Sequence, residues 1–224
     1  MARNNVRFNN TPASIHAATT KVLTSVSLSL RLIPGHVNAA EHASMKPLHL
    51  EPKPAPPMTV RLVLWKSPSV EWIKANTDGS VTHASAVCGG LFHDYTSRFL
   101  GGYVQRVNGT VLHAELMSMI LAMELAHRQG WLSLWIESDS KAALQASENH
   151  QVVPLDLRNR WSNCFSLHLN LRWSHIYREG NESADKLANL GHSFVDLKWW
   201  NSIPLDIRDA TPHDSLGLPS YRFD

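Results

Sequence analysis

Three strand-like runs in close succession, followed by a regular alternation of helix and strand, leave this chain few architectures. The runs lie near 71–78, 86–93 and 98–107, and the turn-type clusters "DGS" and "HDYTS" separate them, which suits a meander of neighbouring strands. A long helical pattern spans 112–129 and stops at Gly130, a residue type that commonly ends helices. Next comes a strand over 132–137, where Leu132, Leu134 and Ile136 alternate with Ser133 and Trp135. A helix from about 140, a less regular helical stretch around 155–168, the strand "LNLRWSHIY" and a last helix, "ESADKLANLGHSF", complete the pattern. A meander leading into alternating helices and strands requires a mixed sheet with helices packed on it, an α/β fold.

The flanks read differently. Residues 1–57 form an N-terminal extension with Arg3, Arg7, Lys21 and Arg31 but no acid before Glu41, a composition shared by organellar transit peptides and by remnants of longer proteins. It ends in "EPKPAPP", a stiff linker that can continue neither a helix nor a central strand. The folded domain is expected over 71–195, with 196–224 as an irregular C-terminal tail, because Pro, Gly and Asp interrupt that segment throughout. With 224 residues, 43% of them hydrophobic, the chain can bury one sizeable core. Cys88 and Cys164 form no CxxC pair, so neither a zinc site nor a disulfide framework is supported. No apolar run reaches the roughly 20 residues of a membrane span. A soluble intracellular protein, nuclear or cytoplasmic, is expected, with organellar import as the alternative.

Four acids stand where strands and helices meet. Asp78 ends the strand "WIKANTD", and Asp139 follows "LWIES" just before a helix start. Each alone is explained by a turn or a helix cap. Glu115, in "LHAELMSMILAMELA", is less easily dismissed: helical spacing aligns it with Met119, Ala122 and Ala126, beside an apolar stripe. An ionised side chain there is costly unless paired or metal-bound. Asp185 sits on "ESADKLANL" among Ala184, Leu187 and Ala188. Taken together, such hard oxygen ligands describe a site for Mg²⁺ or Mn²⁺. Two ions roughly 3.5 to 4 Å apart can activate a water and stabilise the leaving oxygen of a phosphodiester.

"NTDGS", "HAEL", "IESDS" and "GNESADKLA" occur in the order and approximate spacing of the type 1 ribonuclease H domain. The chain resembles most the reverse-transcriptase-like branch abundant in plant genomes and derived from non-LTR retroelements, over about 71–195; "ARNNVRF" and "SLGLPSYRF" resemble flanks of such proteins. The resemblance implies a ribonuclease H-like fold, a five-stranded mixed sheet with helices on both faces. It implies endonucleolytic hydrolysis of the RNA strand of an RNA/DNA hybrid by two Mg²⁺ ions, with Mn²⁺ as substitute, leaving a 3′-hydroxyl and a 5′-phosphate. By resemblance Asp78 bridges both ions, Asp185 completes the ion that positions the attacking water, and Glu115 with Asp139 holds the ion on the leaving-group side. Gly79, Ser80 and Ser140 match positions that contact the strand, where the 2′-hydroxyl distinguishes RNA from DNA. A monomer without an obligate protein partner or membrane association is expected.

The competing reading is a domesticated domain that binds nucleic acid or protein without cutting. It draws on charge: 71–195 carries ten Lys and Arg against twelve Asp and Glu, so attraction for phosphate depends on bound metal and local patches. "HAE" also fits the H-x-E of zinc deaminases, but the PCxxC that must follow is missing. Typical ribonucleases H carry a histidine-bearing loop before the last acid. Here only Tyr177, Arg178, Glu179 and Gly180 separate Ile176 from Asn181. His175 precedes that loop and reads as a structural strand residue, so slower turnover than in loop-bearing relatives is expected. Trp161, near Arg158 and Arg160, reads as a partly buried helix residue, with stacking on a DNA strand as the alternative.

Overall fold

The structure, a computed structural model, describes residues 15–32, 59–209 and 218–223. The chain divides into two compact units, Met1–Thr59 and Val60–Asp224. In the first, the described part is the helix α1 (Ile15–Leu32), where the hydroxyls of Thr19, Thr20 and Thr24 each donate to the carbonyl four residues back. The remainder of the N-terminal extension, with its Pro-rich linker, lies outside the described residues. Among the described residues no helix is long and apolar enough to cross a membrane.

The second unit holds the meander β2 (Ile73–Val81), β3 (Ala86–His93) and β4 (Phe99–Val107), preceded by the short strand β1 (Val60–Val63). Then follow α2 (Val111–Arg128), β5 (Ser133–Ser138), α3 (Lys141–Leu144), α4 (Leu155–Phe165), β6 (Asn170–His175), α5 (Glu182–Leu190), β7 (Lys198–Trp200) and β8 (Ser220–Phe223). The sheet order is β6-β5-β2-β3-β4-β7, with β5 parallel to β2, β6 parallel to β5, and the other pairs antiparallel.

Local chemistry sets the boundaries. Thr110 caps α2: its hydroxyl accepts from the His113 backbone N–H at 3.4 Å while His113 Nδ1 accepts from the Thr110 N–H at 3.4 Å. The histidine of "HAE" is thus part of a reciprocal helix cap. At the other end Gly130 takes φ +74°, a left-handed turn that costs glycine nothing. Every residue of β3 is buried, because its alternating side chains serve two layers. Cys88 and Phe92 join the larger core with Leu116, Ile120 and Met123 of α2, whereas Val87 and Leu91 join a smaller one with Ala184 and Leu187 of α5. A strand covered on both faces needs apolar residues at both parities.

Two expectations are corrected. The sheet has six strands and not five, because β7 pairs with β4 through Gly102↔Trp200, Tyr103↔Trp199 and Val104↔Lys198. The indole of Trp199 lies against Gly101, where a side chain would collide with it. Segment 196–224 is not irregular throughout: besides β7 it provides the fully buried Ile207 to the smaller core and β8, which pairs antiparallel with β1 as a separate two-stranded ribbon. Strands of three or four residues are too short to show a period, so their pairing comes from the edges on offer. Trp161, 1% exposed, packs against Phe165 and Trp173 in the larger core, and Cys88 and Cys164 are both buried and free.

Candidate active site

One face of β2 carries a row of polar side chains. Lys74, Asn76 and Asp78 alternate along it, and all are buried. Lys74 is fully enclosed, with its Nζ 2.5 Å from Glu137 Oε2, 2.8 Å from the Lys66 carbonyl oxygen, and 4.3 Å from the ring centres of both Trp65 and Trp135. An acid, a carbonyl and two π faces thus compensate the ammonium. Asn76 carries the network onward. It accepts from the Trp65 indole N–H at 2.8 Å and donates to Glu137 Oε2 at 3.2 Å and Asn181 Oδ1 at 3.1 Å. Asn181 in turn donates to the Thr77 carbonyl at 3.0 Å and reaches Asp139 Oδ1 at 3.5 Å.

At the end of this row the acids converge. Oxygens of Asp78, Glu115 and Asp139 lie within 4.8 Å of one another. Gly79 permits the approach: a β-carbon there would come within 2.6 Å of the Glu115 backbone nitrogen, so only glycine lets the first turn of α2 rest on β2. Asp78 and Glu115 are each 6% exposed, and Asp139 is half-buried. Burial, and then the charges of Asp139 and Asp185, push the Asp78 carboxyl up to about 8; burial, and then Asp78 and Asp139, push Glu115 up to about 9. Burial also raises Asp139 above the usual carboxylate range.

Asp185 stands apart from the triplet. Its Oδ1 accepts from Arg178 at 2.5 Å and its Oδ2 from Asn189 at 3.2 Å. Its charge nevertheless raises the Asp78 carboxyl, so it belongs to the same electrostatic site. Ser80 donates to Asn189 Oδ1 at 2.6 Å and lies 3.0 Å from His192 Nε2. The Ser140 hydroxyl caps α3 by accepting from the Ala143 N–H at 3.3 Å. His175 is exposed, with its ring edge-on to Tyr177 at 5.4 Å.

A divalent cation fits the triplet. Glu115 Oε2 is buried without a hydrogen-bond partner, and burial and neighbouring acids oppose the ionisation of Asp78 and Glu115, the arrangement that a hard cation relieves.

Sequence reasoning missed Lys74, Trp65 and Asn181. Lys74 and Asn76 read as ordinary polar positions of an alternating strand, and Trp65 precedes the expected domain. Asn181 was legible only as a residue of "GNESAD" at a helix start; in the fold it makes no side-chain cap and ties β2 to Asp139.

A three-strand meander extended by two parallel strands, with helices on both faces and acids gathered at the ends of β2, α2 and β5, defines a ribonuclease H-like α/β protein. The chain belongs to the reverse transcriptase-like family, whose model matches residues 76–191. An Arabidopsis thaliana protein named "Putative ribonuclease H protein" is 28% identical over 174 residues, 72% of this chain and 27% of the relative, so this chain spans about a quarter of that relative's length. Among solved structures, the N-terminal RNase H domain of a Mycobacterium tuberculosis protein superposes with a TM-score of 0.50 at 22% identity, covering 56% of this chain and 95% of that one. RNase H1 from Halobacterium salinarum gives 0.48 at 22% identity, covering 55% and 98%.

Proposed function

We propose that this protein is a metal-dependent endonuclease that hydrolyses the RNA strand of RNA/DNA hybrids through Asp78, Glu115, Asp139 and Asp185. The observation that carries this reading is the convergence of three carboxylates, two buried and one half-buried, at the ends of β2, α2 and β5, one with an unpartnered oxygen, in a chain of the reverse transcriptase-like family. Two Mg²⁺ ions, with Mn²⁺ as substitute, would be held by the four carboxylates and would supply an activated water and a stabilised leaving oxygen.

The chain's own residues provide the positioning. Asp78 is central: Asp139 and Asp185 both act on its charge, and Glu115 lies beside it. The seating of α2 on Gly79 brings the Glu115 backbone to the end of β2, beside Asp78. Asn181 restrains Asp139 by bridging it to the β2 backbone. The backbone at Gly79 and the Ser80 and Ser140 positions would face the 2′-hydroxyls of the RNA strand. Through Asn189, Ser80 is linked to Asp185, so a strand contact at Ser80 bears on the fourth acid.

The test is incubation of the purified full chain with a hybrid labelled on its RNA strand, in Mg²⁺ and then in EDTA. Cleavage of RNA alone, abolished by EDTA and by Asp78→Asn in a protein with an unchanged circular dichroism spectrum, is the expected result. Equal cleavage by wild type and Asp78→Asn would remove the catalytic assignment. Tight hybrid binding without cleavage would favour the non-cutting binding module, a reading supported by the arginine already engaged on Asp185.

A further inference from the structure

The acid that stands apart is the one that already has a cation. The Arg178 side chain is 72% exposed and its guanidinium donates to Asp185 Oδ1, while Asn189 donates to Oδ2. Both oxygens of Asp185 are therefore engaged, whereas the triplet keeps a buried oxygen without a partner. The positive charge of Arg178 also acts on Asp78, Glu115 and Asp139.

The loop that carries Arg178 is gripped by the β1–β8 ribbon. Arg61 donates to the Tyr177 hydroxyl at 3.1 Å, and the Arg222 guanidinium lies 4.9 Å from the Tyr177 ring centre and 3.5 Å from Glu179 Oε1. Gly180 packs so closely under the ribbon that a β-carbon there would come within 2.8 Å of Val63 Cγ1. The ribbon's contacts on Tyr177, Glu179 and Gly180 thus flank Arg178, whose own side chain extends to Asp185.

We infer that Arg178 is a built-in counter-cation that occupies Asp185 in place of a second metal ion, so that the protein without substrate holds one divalent ion, at Asp78, Glu115 and Asp139. The position at Asp185 opens when the guanidinium is drawn away, and a phosphodiester is the matching acceptor because its oxygens pair with guanidinium in the same forked geometry as a carboxylate. This rests on the metal-dependent reading proposed above, and the test separates the two.

Mn²⁺ binding to the full chain is counted by electron paramagnetic resonance, without nucleic acid. Wild type should bind one ion tightly. Arg178→Ala should bind two, the second about ten-fold tighter than any second ion in wild type, because a unit positive charge no longer repels a dication a few ångströms away. Adding Asp185→Asn to Arg178→Ala should return the count to one. Two tight ions in wild type, one ion in both wild type and Arg178→Ala, or two in the double variant would each overturn the inference while leaving metal binding intact. No bound ion in either protein would overturn both.

Discussion

Replacing Glu115 with glutamine should stabilise the metal-free protein, and the size of the effect follows from the site. The carboxyl is raised from 4.5 to about 9, first by burial and then by Asp78 and Asp139. A folded-state value above the unfolded one means that the native state binds the proton more tightly. The associated stability is present in full below about 4.5 and is lost progressively as pH rises towards 9. Between 4.5 and neutral pH, at about 1.4 kcal/mol per pH unit, the loss approaches ~3 kcal/mol. Asp78, itself raised to about 8, competes for the same proton, which reduces the share of Glu115 to about 2 kcal/mol. Glutamine keeps the shape and carries no charge to desolvate. In a domain of this size such a gain corresponds to a rise in Tm of about 4–8 °C. Thermal melts followed by circular dichroism in EDTA should show the glutamine variant well above wild type at pH 7.5 and close to it at pH 4.5. Saturating Mg²⁺ should raise wild type more than the variant and close the gap. A variant that melts at or below wild type at every pH in EDTA would refute the picture of crowded, desolvated acids.

Other expectations concern the scaffold around the site. Lys74→Met leaves Glu137 buried without its ammonium partner and should cost about 3–5 kcal/mol in denaturant unfolding; a loss under about 1 kcal/mol would mean that the pair is not load-sharing in solution. Gly79→Ala drives a methyl to 2.6 Å from the Glu115 backbone nitrogen, so α2 must move. Mn²⁺ affinity should fall about ten-fold or more, since coordination tolerates little displacement, and unchanged affinity would count against the close seating of α2. His175→Ala should leave single-turnover cleavage within about two- to three-fold of wild type, as expected for an exposed strand residue. Loss of that step in a folded variant would make His175 catalytic.

Much of the architecture was legible because it is written in local periodicity. The period-two runs and their turn clusters mark β2, β3 and β4, the helical stripe and Gly130 mark α2, and the four acids are conspicuous because each sits at an element boundary or on an apolar helix face. Periodicity gave no warning of β7 or the β1–β8 ribbon. A strand of three or four residues carries too little pattern, and it forms because an open sheet edge and a glycine beneath Trp199 accept it.

The sequence by itself determined which residues could serve: an acid after a strand, an acid on an apolar stripe, a glycine beside the first. Only the tertiary structure decided how they are used. The parallel pairing of β2 with β5 and the seating of α2 bring Asp78, Glu115 and Asp139 together, although 37 and 24 positions separate them along the chain. The same packing encloses Lys74 between two tryptophans and gives Asp185 to Arg178. The physical reason is that desolvation and charge–charge interaction depend on distance through space and on what excludes water, and neither quantity is carried by spacing along the chain.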